Sequence, residues 1–157
     1  MNLKEKFFDI FNMYVEKKSS EKKISKTLKK LLPYEIDASL IRLGEKNDGG
    51  YLVPDDFVGI DKNYSAGVGF LTQFEKDLET RYLIKSNMLD FNEIEKTILP
   101  SKASFLKKKL GLVSNNQEIS INDWIIKDDK DIILKLDIEG DEYASLIDIS
   151  EENLKKV

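Results

Sequence analysis

Apolar positions recur at three- and four-residue steps near the start of the chain. Leu3, Phe7, Phe8, Phe11, Tyr14 and Val15 form one helical stripe over residues 2–17. Ile24, Leu28, Leu31 and Leu32 form a second, stopped by Pro33. Between them, residues 17–23 (Lys-Lys-Ser-Ser-Glu-Lys-Lys) read as a turn or linker. Residues 1–32 are therefore expected to be a helical lead-in, either packed on a domain or used in self-association.

The period then shortens. Residues 40–44 and 51–53 are short apolar runs on either side of Asn47-Asp48-Gly49-Gly50, which predicts a β-hairpin ended by Pro54. Residues 63–66 read as the first central strand, and Gly67-Val68-Gly69 as a turn. Thr72 is the expected cap of a helix running through Phe74, Leu78 and Tyr82. Residues 83–90 supply a second strand ending in Asp90, and residues 91–104 read as loop. Residues 104–110 suggest a helix stopped by Gly111, and residues 112–114 a short strand before the Asn115-Asn116 turn. Ile119, Ser120 and Ile121 lead into a helix capped by Asn122 and carrying Trp124 and Ile125. Residues 132–136 are a buried strand, residues 141–148 a helix, and Ser150 caps a last helix into Leu154. Strand–helix alternation from residue 63 onward predicts an α/β domain over residues 33–157, with a mostly parallel sheet and helices on its faces.

Composition narrows the chemistry. The 157 residues are enough for one domain with its own core, and 41% hydrophobic with 34% charged content is globular. No apolar run reaches the roughly 18 residues of a membrane span, so no span is expected. Lys4, Glu5, Lys6 and Asp9 interrupt any signal-peptide core, and the cytoplasm is the expected compartment. The sequence has no cysteine, which removes disulfides, thiolate metal sites and a Cys nucleophile. It has no histidine either, which removes the commonest general base and zinc ligand. A metal would have to be a hard, oxygen-bound ion such as magnesium or calcium. Catalysis must rest on carboxylates, Lys, Tyr or positioning.

Charge is uneven. Residues 1–32 hold nine Lys and four acids, whereas the remainder holds 16 basic and 25 acidic side chains. The basic segment reads as a solvated helix face, and no nucleic-acid partner is expected.

Two clusters carry the candidate chemistry. Ser65-Ala66-Gly67-Val68-Gly69 is a turn with little side chain after a strand, where backbone amides can approach a ligand before a helix N-terminus. Asp90, 23 residues after Gly67 and at the end of the next strand, suits a ribose hydroxyl pair. Glu75, on the following helix, faces either ligand or solvent, and Asp48 belongs to the hairpin turn with a secondary part in closing the pocket. The second cluster is Lys135-Leu136-Asp137-Ile138-Glu139-Gly140-Asp141-Glu142. Continued strand alternation would put Asp137 and Glu139 on one side. Such a pair is relieved by a cation, a proton or a hydroxyl-bearing ligand. Gly140 lets the chain turn, and Asp141 and Glu142 suit the next helix's N-terminus. Lys135 reads as a snorkelling or edge lysine.

In order and spacing, Arg42-Leu43-Gly44, Asn47-Asp48-Gly49-Gly50-Tyr51, Ser65-Ala66-Gly67-Val68-Gly69, Phe74-Glu75 and Lys135-Leu136-Asp137-Ile138-Glu139-Gly140 resemble the FkbM-like methyltransferases over residues 40–154. The resemblance implies a Rossmann-like fold, S-adenosylmethionine as cofactor and methyl transfer to a hydroxyl of a sugar or surface-polysaccharide precursor. It implies Gly67 and Gly69 beneath the cofactor's methionine part and Asp90 on its ribose. Ser65 and Glu75 join them as cofactor-binding positions. Asp137 and Glu139 would line the place where donor meets acceptor, with Asp137 also touching cofactor. Members of that family usually continue past the helix at residue 154 with a further strand. An exposed sheet edge is therefore expected, and with it a fragment, a completing partner chain or a homo-oligomer. Two other readings stay open: a non-catalytic Rossmann-like domain acting in assembly, and a sugar-nucleotide transferase with a divalent ion at Asp137-x-Glu139.

Overall fold

A computed structural model describes residues 18–30, 32, 35–125 and 129–157. The chain divides into two compact units, Met1–Asp37 and Ala38–Val157. In the first, helix α1 (Glu21–Lys30) carries Ile24 and Leu28 of the second apolar stripe. Lys23 N–H donates to Ser20 Oγ, so Ser20 caps the helix and residues 21–23 are helical rather than linker. The stripe expected over residues 2–17 lies outside the described residues.

The second unit opens with the hairpin, β1 (Leu40–Gly44) and β2 (Gly50–Pro54), paired so that Leu43 faces Tyr51. The Arg42 guanidinium donates to the carbonyls of Glu45, Lys46 and Asn47, which stitches the turn. Gly44 N–H donates to Asp77 Oδ2 and ties the hairpin to helix α2 (Gln73–Tyr82).

The main sheet is parallel and four-stranded among the described residues: β3 (Lys62–Ala66), β4 (Lys85–Asp90), β5 (Ser104–Lys107) and β8 (Ile132–Leu136), in the order β5-β4-β3-β8. A separate parallel pair, β6 (Lys109–Gly111) and β7 (Glu118–Ser120), follows β5. Three short helices, α3 (Ile121–Ile125), α4 (Glu142–Asp148) and α5 (Glu151–Leu154), complete a Rossmann-like α/β fold with an antiparallel hairpin in front. β8 pairs with β3 alone among the described residues, while Ile132 N–H donates to Lys156 O.

Alternation along β3 sorts the core. Tyr64 and Ala66 point into a cluster with Leu89, Leu110, Ile121 and Ile132. Asn63 and Ser65 point the other way, toward α2, where Phe74 and Leu78 pack with Leu43 and Ile84. Central strands covered on both faces are what a parallel sheet requires.

Several local expectations fail for identifiable reasons. Residues 104–110 are not a helix but β5 and the start of β6, broken by a bend at Lys108. Phe105 and Leu106 go to opposite faces of the sheet, one to the cluster of Met88 and Ile94 and one to that of Leu89. Two adjacent apolar residues fit either a helix stripe or a strand buried on both faces, and pairing with β4 decides between them. Residues 112–114 are not strand: Leu112 and Val113 form an exposed bend. Ser120, not Asn122, caps α3 by accepting from Asp123 N–H. The Asn122 amide instead accepts from Ser150 N–H and donates to Asp148 O. Thr72 makes no side-chain cap bond; its hydroxyl donates to Ile98 O. Leu83 ends α2 in the left-handed conformation, so the next strand starts at Lys85. Ser150 does cap α5, accepting from Asn153 N–H. Among the described residues, no helix is long and apolar enough to cross a membrane.

Candidate active site

All four main-sheet strands deliver their carboxyl ends to one cavity of about 490 Å³. Gly67 and Gly69 come from the turn after β3, Asp90 and Phe91 from the end of β4, Lys108 and Lys109 from beyond β5, and Asp137, Glu139 and Asp141 from the loop after β8. This is where open parallel sheets hold ligands.

The glycine turn is shaped by close backbone approach. Gly67 N–H donates to Leu89 O, and Asp137 N–H donates to Ala66 O. A Cβ on Gly67 would lie 1.8 Å from the Asp137 carbonyl oxygen. Gly67 and Gly69 both have positive φ, +74° and +54°. Gly69 N–H donates to Asp90 Oδ2 at 2.9 Å, and Asn92 N–H donates to Asp90 Oδ1 at 2.7 Å. Asp90 thus braces the turn and retains lone pairs for a ligand, since an ionised carboxylate accepts at about four sites.

β8 stops at Leu136, so strand alternation does not orient Asp137 and Glu139 as expected. Glu139 is left-handed at φ 58°, and Gly140 turns the chain at φ 107°. The tertiary fold nevertheless puts both carboxylates on the same cavity. Glu142 secures the loop by accepting from Ile138 N–H at 2.6 Å and Gly140 N–H at 2.8 Å. Backbone amides, its own first and then that of Ile138, hold the Glu142 carboxyl below its ordinary range. Asp141 occupies the N-cap position of α4 without a side-chain cap bond, and pairs with Lys109 Nζ at 2.8 Å. That hydrogen bond raises the Lys109 ammonium above its usual value.

Ser65 and Glu75 do not line the cavity. Ser65 Oγ donates to Glu75 Oε1, and Lys135 Nζ lies 3.2 Å from the same oxygen, all three side chains being buried. Lys135 thus stands on the edge strand of the described sheet, but its ammonium is buried on Glu75 rather than snorkelling to solvent. Its strand register places it beside Ser65 on the face covered by α2. Asp48 accepts from Gly49 N–H within the hairpin turn and also lies outside the lining.

In the sequence, Tyr51 reads only as part of the hairpin motif, with no role at the site. Its hydroxyl donates to Asp137 Oδ2 at 2.8 Å across 86 residues of chain. Burial, then the hydrogen bond to Asp137, raises its phenol well above the ordinary value. Lys108, Lys109 and Phe91 were missed as well. The two lysines were hidden by the mistaken helix over residues 104–110. Phe91 carries only the weak signal of an apolar residue, 66% exposed, beside a strand-terminal acid.

Four carboxylates and two lysines line the cavity. Among the described residues, no group of three or more His, Cys, Asp or Glu is arranged to hold a metal ion. Comparison of the chain with protein families, with curated proteins and with solved structures finds no match in any of the three.

Proposed function

We propose that this chain binds S-adenosylmethionine in the acid-lined cavity and serves, in the cytoplasm, as an O-methyltransferase, with a hydroxyl of a sugar or surface-polysaccharide precursor as acceptor. The observation that carries the cofactor reading is the Asp90–Gly69 hydrogen bond. In a dinucleotide site the glycine-turn amides face a pyrophosphate. Here one such amide is taken by a carboxylate, and three further carboxylates line the same space. The lining sets four carboxylates against two lysines, one of them paired with Asp141, so its net charge is negative and favours a net-cationic nucleoside such as S-adenosylmethionine over a pyrophosphate. The volume lies within the range of cofactor sites.

The residues present fit this cofactor. Gly69 has nothing within 4 Å of where a Cβ would be, which leaves the turn open to a ligand. Asp90 has spare acceptor capacity for a ribose diol. The bound sulfonium would supply an already activated methyl group. What remains for the protein is alignment of the acceptor oxygen and late removal of its proton. Asp137 and Glu139 are the carboxylates for that task. The sugar class of the acceptor rests on the family resemblance. The alternative is a divalent ion at Asp137-x-Glu139, which without a three-residue cluster among the described residues would need a substrate phosphate to complete its coordination.

Calorimetric titration with S-adenosylhomocysteine, beside ATP and NAD, tests the reading. Saturable binding of the first alone, lost in a folded Asp90→Asn variant, is expected. Binding of ATP or NAD with none of S-adenosylhomocysteine would overturn it.

A further inference from the structure

Asp137 stands at the first position after β8, where its own strand no longer orients its side chain. One side-chain contact does so, the hydrogen bond that Oδ2 accepts from Tyr51. Tyr51 belongs to the hairpin, which is not part of the main sheet. Something must therefore hold the Tyr51 ring to within the tolerance of a hydrogen bond.

The surroundings of the ring supply it. Tyr51 packs edge-on against Phe74, with ring centroids 5.4 Å apart. The Lys135 ammonium lies 5.5 Å from the Tyr51 centroid and 5.8 Å from that of Phe74. Both separations suit a cation–π contact. The ammonium is held in turn by buried Glu75, whose Oε1 also accepts from Ser65. A buried ion pair is a weak source of stability, because desolvation offsets most of its attraction. An apolar pair would fill this space at lower cost. An ammonium near the faces of two rings, however, attracts them electrostatically, which aliphatic packing does not.

We propose that Tyr51 is a positioning residue for Asp137, and that the buried Glu75–Lys135 pair holds Tyr51 in place. The raised phenol keeps the Tyr51 hydroxyl protonated, so Tyr51 donates and Asp137 accepts. Oδ1 of Asp137 is left for a ligand. Ser65 and Glu75 thereby act on the site from behind it rather than by touching cofactor.

The readout rests on the proposed cofactor. A double-mutant cycle on S-adenosylhomocysteine affinity separates positioning from general structure, since residues that act through one another are not additive. Tyr51→Phe is expected to weaken binding roughly tenfold, the scale of one hydrogen bond to a charged group. In an Asp137→Ala background, which leaves the Tyr51 hydroxyl no acceptor at that position, it is expected to add nothing. Additive losses, or unchanged affinity in Tyr51→Phe, would overturn the proposal.

The combined Glu75→Gln, Lys135→Met variant removes both buried charges together and so avoids a lone buried ion. It is expected to melt cooperatively and to bind as weakly as Tyr51→Phe. Native affinity in that variant would overturn the part assigned to the ion pair. If the unaltered chain binds no S-adenosylhomocysteine, the cofactor reading fails by itself. Positioning is then decided by the carboxyl carbon resonance of Asp137. A shift in Tyr51→Phe upholds it, and no shift overturns it.

Discussion

Gly67 and Gly69 share a left-handed backbone, yet a side chain would cost different amounts at the two. At Gly67 the new Cβ would run into the Asp137 backbone, which cannot move without disturbing the β3–β8 ladder. At Gly69 no atom lies within 4 Å, so only the conformation is penalised. Gly69→Ala is expected to cost about 1–2 kcal/mol, the usual price of left-handed backbone for an L-residue. Gly67→Ala adds an overpacking cost and is expected to lose about 3–5 kcal/mol. Denaturant midpoints of the two variants check this order, and equal losses would refute the close-approach account. The sequence marked both glycines as turn residues. It could not show that one of them faces a backbone contributed from 70 residues further on.

At the scale of elements, the loop joining β8 to α4 carries three of the cavity's carboxylates, and Glu142 is what clamps it. The folded-state pKa of Glu142 is depressed. Its contribution to stability is therefore present above the ordinary value of 4.5 and is lost as pH falls through the lower folded value. Replacing it by Gln removes a charged acceptor from two backbone amides. The melting temperature of Glu142→Gln is expected to fall below that of the unaltered chain near neutrality and to converge with it in acid. A constant difference across that range would mean that the carboxylate's ionisation is irrelevant. This element also shows where sequence reading reached its limit. Asp141 and Glu142 were both legible as helix-start acids, but only Glu142 clamps the amides, while Asp141 turns to Lys109. Which of two adjacent acids reaches a given amide depends on a turn that the residue pattern does not specify.

At the scale of the whole molecule, the three hydrophobic clusters among the described residues lie within Ala38–Val157, and α1 contributes no buried residue. A chain of residues 38–157 is expected to melt cooperatively within about 4 °C of the full chain, the shift that ~1 kcal/mol produces at this size. Loss of cooperative melting would show that residues 1–37 are part of the folding unit. By itself the sequence determined the α/β class, the hairpin, the central strands, and the placing of Gly67, Gly69, Asp90, Asp137 and Glu139 at strand ends. Local periodicity and turn chemistry carry that information, because both act over a few residues. Only the tertiary structure decided that residues 104–107 and 109–111 are strands, that Lys135 is buried on Glu75, and that Tyr51 reaches Asp137. Each of these depends on contacts between residues far apart in the chain, where pairing partners and burial, not local preference, set the free energy.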